Sequence, residues 1–93
     1  MSDAVYGAVL ERVRELAQDT FNIYWTSHAQ ERMDERDIVD AQALRVVREG
    51  NLLGELELDG GDWKMTLGKH CSGRLVHVVV ALSESQLIVI TAY

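Results

Sequence analysis

Two stretches near the C-terminus, Leu75–Leu82 and Leu87–Tyr93, limit what this chain can fold into. Both are rich in β-branched residues and almost continuously apolar, interrupted chiefly by His77 and Thr91. A half-exposed strand alternates apolar with polar residues. An unbroken apolar run instead belongs to a central strand covered on both faces, or on one face plus a partner. The connection Ser83-Glu84-Ser85-Gln86 reads as a turn, so the two runs lie side by side in a sheet. Burying an unpaired polar group is costly, which singles out the polar residues inside these runs. Strand alternation puts Thr91 and Tyr93 on the same face. His77 is either a core histidine satisfied by a carbonyl or a site residue.

The segments before these runs complete the outline. Leu52–Leu58 alternates, Asp59-Gly60-Gly61-Asp62 is a strong turn signal, and Trp63, Met65 and Leu67 alternate with Lys64 and Thr66, which predicts a hairpin. Gly68–Gly73 reads as a longer loop. Upstream, helical periodicity starts at Asp3 or Ala4 and runs to Gln18, with Asp3 as cap and a stripe of Val5, Val9, Leu16 and either Val13 or Arg12. Gly7 weakens this helix by about 1 kcal/mol relative to Ala. Phe21–Thr26 is a short strand or extended segment. A later helix from about Val39 to Glu49 buries Ala43, Leu44 and Val47 and stops at Gly50 in the left-handed conformation. Val39 stands where a small polar cap is expected, leaving Asp37 or Asp40 to meet the free amides. Trp25 and Trp63 are assigned to the core. The sum is an α+β fold, N-terminal helices packed on a four-stranded antiparallel sheet. A length of 93 residues suits one domain with one modest core.

Chemistry concentrates between the first and last of these helices, in Thr-Ser-His-Ala-Gln-Glu-Arg-Met-Asp-Glu-Arg-Asp-Ile, residues 26–38. A helix beginning at His28, capped by Ser27 in a capping box with Gln30, would line His28, Arg32 and Arg36 along one edge. At the first helical position His28 meets free amides, which leave a ring nitrogen open to accept a proton. Arg32 and Arg36 could equally pair with Glu31, Asp34, Glu35 or Asp40 as a solvated face.

The pattern Thr-Ser-His-Ala-x-x-Arg-Met-x-Glu-Arg-x-Ile, followed by a helix, a glycine and strands ending in Ile-Thr-Ala-Tyr, resembles the bacterial family catalogued as domain of unknown function 4258 over residues 22–93. Residues 1–20 then form an added N-terminal helix. In layout the chain is similar to small toxin ribonucleases of the RelE type, with a RelE/barnase-like arrangement of helices before a sheet. The resemblance implies a metal-independent endoribonuclease of a toxin–antitoxin pair, with an antitoxin protein and RNA or the ribosome as partners. His28 or Tyr93 would take the proton from the ribose 2′-hydroxyl, Arg32 and Arg36 would stabilise the phosphorane oxygens, and His77 or Tyr93 would protonate the leaving 5′-oxygen. Thr91, Lys64 and Arg74 would join His77 in holding the substrate, Thr91 by orienting it. The competing expectation is a non-catalytic interaction module, in which the His-Arg row ties the second helix to the last strand through Thr91 and Tyr93.

Charge bears on both expectations. A net charge of −6 opposes indiscriminate nucleic-acid binding, which draws its affinity from cations. From Trp63 to Ser83, however, Lys64, Lys69, His70, Arg74 and His77 occur without a carboxylate, so one cationic face is expected on an otherwise acidic protein. Cys71 is alone and His70, Cys71 and His77 lack zinc-site spacing, so no disulfide, metal or other cofactor is expected. The sequence has no signal-like start and no membrane-spanning run, which places the expected location in the cytoplasm. Exposed sheet edges suggest a homodimer.

Overall fold

The computed structural model describes residues 3–93, and the cap expected from Asp3 rests on a side chain outside what is described. The order is α1 (Asp3–Ala17), a 3-10 turn (Thr20–Asn22), β1 (Ile23–Trp25), α2 (Ser27–Glu35), α3 (Asp40–Glu49), β2 (Asn51–Asp59), β3 (Asp62–Cys71), β4 (Arg74–Ser83) and β5 (Gln86–Ala92). The class is α+β, but the sheet has five strands in the order β1-β5-β4-β3-β2. It is mixed, because β1 joins β5 in parallel, Ile23 opposite Leu87 and Trp25 opposite Val89. The expected four-stranded antiparallel sheet is therefore corrected. Phe21 and Asn22 fall outside the strand, in a turn whose start Asp19 caps by accepting from the Phe21 amide at 3.0 Å.

Strands β2 to β5 are successive antiparallel neighbours. The loop expected over Gly68–Gly73 is instead strand up to Cys71 followed by a tight turn. Ser72 and Gly73 both have positive φ, 53° and 81°, the geometry of a two-residue hairpin turn that matches strand twist. Glycine supplies one of these positions at no steric cost, so Ser72-Gly73 suffices for the turn and no six-residue loop is needed.

All the helix packing is on one side of the sheet. Val76, Val78, Val80 and Leu82 of β4, Leu87 and Val89 of β5, and Met65 and Leu67 of β3 are buried there with Val9, Val13, Leu16 and Ala17 of α1, Ala29 and Met33 of α2, and Ala43, Val46 and Val47 of α3. Val13 rather than Arg12 completes the α1 stripe, and Val46 is more buried than Leu44, which packs at the margin. Trp25 and Trp63 also pack at the margin rather than in the centre.

Two ends differ from expectation. Gly50 is extended (φ −66°, ψ 157°), so it is not a left-handed stop. Its need for a missing side chain is steric, because a Cβ there would lie 2.4 Å from the Val46 carbonyl oxygen. The left-handed stop occurs one helix earlier, at Asp37 (φ 54°). The Asp37 amide donates to the Asp34 carbonyl and the Ile38 amide to Met33 at 2.9 Å, a Schellman closure that buries Ile38. At the start of α3 neither Asp37 nor Asp40 caps the first-turn amides as expected; Gln42 Oε1 instead accepts from the amide of Val39, the N-cap residue, at 3.2 Å.

Candidate functional site on the open sheet face and helix 2

Helix α2 is held at both ends. Thr26 follows the last β1–β5 pair and is the cap: its Oγ1 accepts from the Ala29 amide at 3.1 Å and donates to the Val89 carbonyl at 2.8 Å. Ser27 was expected to cap, but it lies one position inside the helix. Thr26 prevails because the same hydroxyl satisfies the helix and the sheet at once. His28 is consequently the second helical residue, exposed in the first turn, and the Ser27–Gln30 capping box gives way to a Gln30 amide bonded to the Thr26 carbonyl at 3.0 Å.

At the other end, Arg74 of β4 donates to the carbonyls of Arg36 at 2.6 Å and Asp37 at 2.5 Å. A guanidinium there complements the negative end of the helix dipole. Arg36 itself is the C-cap, with φ and ψ of −102° and 4°; its amide still donates to the Arg32 carbonyl at 3.0 Å, so it sits one turn beyond Arg32 at the helix end. Arg32 lies 3.5 Å from Glu35, an exposed pair of the kind worth about 0–1 kcal/mol and easily exchanged for another anion. Tied to Val89 at its start and to the beginning of β4 at its end, α2 packs along the C-terminal half of β5.

On the sheet side away from the helices, cross-strand rows can be followed from the register. Lys64, Ala81, Ile88 and Tyr24 form one row, with Glu57 at its β2 end; Leu53, Thr66, Val79 and Thr91 form the next; Asn51, Gly68, His77 and Tyr93 form the third. His77 and Tyr93 exchange both backbone hydrogen bonds, at 2.7 and 2.9 Å. Their rings stack with centroids 4.6 Å apart and planes within 7°. His77 is half-buried and Tyr93 is 44% exposed. His77 is therefore a surface histidine beside a phenol, not a core residue.

Two bulges shape the middle of this face. Ile90 has no partner on β4, because Val79 and Val80 pair with Thr91 and Val89. On β2 three residues, Gly54, Glu55 and Leu56, stand opposite Met65 alone, with Gly54 at φ 78°. Bulges bend and twist strands locally. Between them lies a groove of about 300 Å³ whose lining includes Glu55, Glu57, Lys64, Thr66, Ile90 and Thr91.

The site residues read from the sequence are thus divided. Tyr93, His77, Thr91 and Lys64 share the open sheet face, with Thr91 and Lys64 in the groove. His28 and Arg32 lie on α2. Arg74 is spent on the α2 carbonyls, and Lys69, on the helix side, sits 3.7 Å from Glu49. The expected single cationic face is therefore split between the two sides of the sheet. Among the described residues, no side-chain hydrogen bond links His28, Arg32 or Arg36 to Thr91 or Tyr93; the tie between α2 and β5 is Thr26. Glu55, Glu57 and Ile90 carry no motif, and Thr26, though it opens the motif, was given no role. For Thr26 the signal was available in a Thr-Ser pair in which either hydroxyl could cap.

The geometry defines a two-layer α+β domain with helices on one sheet face and an open, grooved second face bearing a histidine–tyrosine pair. Residues 25–93 match the family described as domain of unknown function (DUF4258), and the chain belongs to that family. No curated protein and no solved structure matches it. No helix is long and apolar enough to cross a membrane among the described residues.

Proposed function

We propose that this chain is a metal-independent endoribonuclease of the toxin type, of RelE-like layout. The observation that carries the reading is the stacked His77–Tyr93 pair, solvent-accessible on the open sheet face. An imidazole and a phenol side by side supply a proton acceptor and a proton donor without help from a metal. In the reaction the ribose 2′-oxygen attacks phosphorus, its proton passes to His77 or Tyr93, and the P–O5′ bond breaks as the other group protonates the 5′-oxygen. The products are a 2′,3′-cyclic phosphate and a 5′-hydroxyl end. Lys64, on the same face, and Arg32, on α2, are assigned to the phosphate oxygens, and Thr91 orients the substrate. His28 is the alternative base. A toxin of this kind works in the cytoplasm, restrained by an antitoxin.

The test is cleavage of single-stranded RNA and of ribosome-bound RNA by the purified protein in the presence of a chelator. His77→Phe and Tyr93→Phe keep the ring stack and remove the proton transfer, so each should slow cleavage by about 10²–10⁴-fold. Wild-type protein that cuts neither RNA, or variants at His28, Arg32, His77 and Tyr93 that all cut as fast as wild type, would refute the reading. The second reading is a non-catalytic interaction module. Glu55 and Glu57 favour it, since they line the groove where a phosphodiester would have to approach.

A further inference from the structure

We infer that the open sheet face is a docking surface for an amphipathic helix of a partner protein, one apolar stripe lying on the groove and lysines or arginines on its flank meeting Glu55 and Glu57. The inference uses the same face as the proposed RNA site, with Lys64 and Thr91 common to both, and RNA is therefore one arm of its test.

Its first support is a mismatch between sequence and architecture. Antiparallel strands with one wet face alternate apolar with polar residues. The central strands β4 and β5 do not over most of their length: away from the helices they present Leu75, Val79, Ala81, Ile88 and Ile90, with His77 and Thr91 as polar interruptions and Ser83 and Gln86 at the turn end. Ala81 is 8% exposed and yet stands apart from the main core cluster, as expected on the other face. Leu75, Tyr24 and Tyr93 are exposed by 41%, 54% and 44%. A sheet face of this composition is stable when something apolar covers it, and a helix is the usual second layer on a sheet.

The second support is shape. Leu53 lies over Gly68, where a Cβ would fall 2.3 Å from the leucine Cδ1. The missing side chain lets Leu53 settle onto the sheet. Together with the bulges at Gly54–Leu56 and Ile90, this turns the face into a trough and not a flat surface.

Charge chooses the occupant. Glu55 and Glu57 form one wall, Lys64 stands cross-strand from Glu57, and the whole chain carries −6. A second copy would bring the same acidic wall and the same net charge to the contact, which self-repulsion opposes. A helix with basic flanks brings the complement, and such complementarity speeds association and selects the partner.

The probe is a synthetic peptide of about 15 residues, near the shortest length at which an isolated helix holds together in water. It carries one leucine stripe with lysine and arginine flanks, and its control has glutamate in place of every basic residue. Backbone amide spectra of the full chain should shift at Glu57, Thr66, Val79, Ile90 and Thr91 with the basic peptide and not with the control. Glu55→Lys with Glu57→Lys should weaken binding on the order of tenfold, the scale of two surface ion pairs. Val79→Lys should abolish the shifts, with circular dichroism and a thermal melt showing that both variants fold. Open-face amides that do not move with the basic peptide, or move equally with both peptides, overturn the inference. So does sedimentation showing a dimer of this chain that is broken by Val79→Lys, because the occupant would then be a second copy. An RNA oligonucleotide that shifts the same amides more strongly than the peptide also overturns it.

Discussion

Thr26 and Ser27 are adjacent hydroxyl residues, and their effects on stability should differ sharply. Thr26 Oγ1 accepts from Ala29 N and donates to the Val89 carbonyl. Losing a Ser or Thr cap costs about 1 kcal/mol, and losing a typical hydrogen bond costs about 0.5–1.5 kcal/mol. The Val89 carbonyl keeps the Thr26 amide as a partner at 3.3 Å, so no orphaned acceptor adds to the cost. Thr26→Ala should therefore lower stability by about 1.5–2.5 kcal/mol, or roughly 6–15 °C in Tm for a domain of this size. Ser27→Ala, which removes a hydroxyl at the first helical position, should cost no more than about 0.5 kcal/mol. Thr26→Ser keeps the hydroxyl and should retain most of the stability. Urea unfolding followed by circular dichroism, with unchanged m-values across the set, gives the differences. Equal losses for Thr26→Ala and Ser27→Ala, or a Thr26→Ser as weak as Thr26→Ala, would refute the assignment of the cap.

Further outcomes follow from other contacts. Gly50→Ala must push Cβ against the Val46 carbonyl oxygen and should cost about 1–3 kcal/mol in urea unfolding, the range for overpacking. Asp37→Gly should be neutral or stabilising by up to about 1 kcal/mol, since φ 54° suits glycine better than aspartate; a loss above that would mean the Asp37 side chain has a structural role. Arg74→Ala should cost about 1–2 kcal/mol, the range for charge-assisted bonds discounted for exposure. Arg74→Lys should recover only part of that, because an ammonium cannot fork over two carbonyls. If single-stranded RNA binds through Lys64 and Arg32, log affinity against log salt should have a slope near −1.4, at about −0.7 for each phosphate neutralised. A slope steeper than about −3 would require roughly four cations and exclude the proposed face as the whole RNA site.

How much could be read from the sequence depended on whether the information was local. The hairpin at Asp59–Asp62 and the strands of β4 and β5 were legible because turn residues and apolar runs report on their own neighbourhood. So was α3, though its cap was not: a valine cannot accept, and Gln42 reaching back to the Val39 amide is half of a capping box. What could not be read was non-local. Phe21–Thr26 reads as a short strand or extended segment, but nothing local says where it pairs: Ile23–Trp25 joins the sheet because Leu87–Val89 offers a free parallel edge more than 60 residues later. The same pairing decided Thr26 over Ser27, since it alone brings the Val89 carbonyl within reach. At the site, the types of residue were visible but not their faces. Strand alternation joined Thr91 to Tyr93 correctly, and the register added His77. Lys69 and Arg74 looked continuous with Lys64, yet they point to the helix side, where Glu49 and the α2 carbonyls use them.

The helix that precedes the family segment bears on where function can lie. The match begins at residue 25, but the core does not: Val9, Val13, Leu16 and Ala17 of α1 belong to the same cluster as Val46 and Val47 of α3 and the valines of β4. Arg48 of α3 donates to the Ala17 carbonyl at 2.8 Å and to Gln18 at 3.3 Å, and Arg14 donates to Gly50 at 3.2 Å, so the α1–α3 contact is fastened as well as packed. Burying a valine or leucine side chain contributes about 1.5–3 kcal/mol. The α1 stripe alone is then comparable with the 5–15 kcal/mol that separates a folded domain of ordinary stability from its unfolded state. In this chain α1 is therefore structural, and with α2 and α3 it fully covers the helix-side apolar surface of β4 and β5. The apolar residues these strands present on the other face have no such partner within the described residues. Both the proposed chemistry at His77 and Tyr93 and the proposed docking of a basic helix accordingly use the face that the fold itself leaves open.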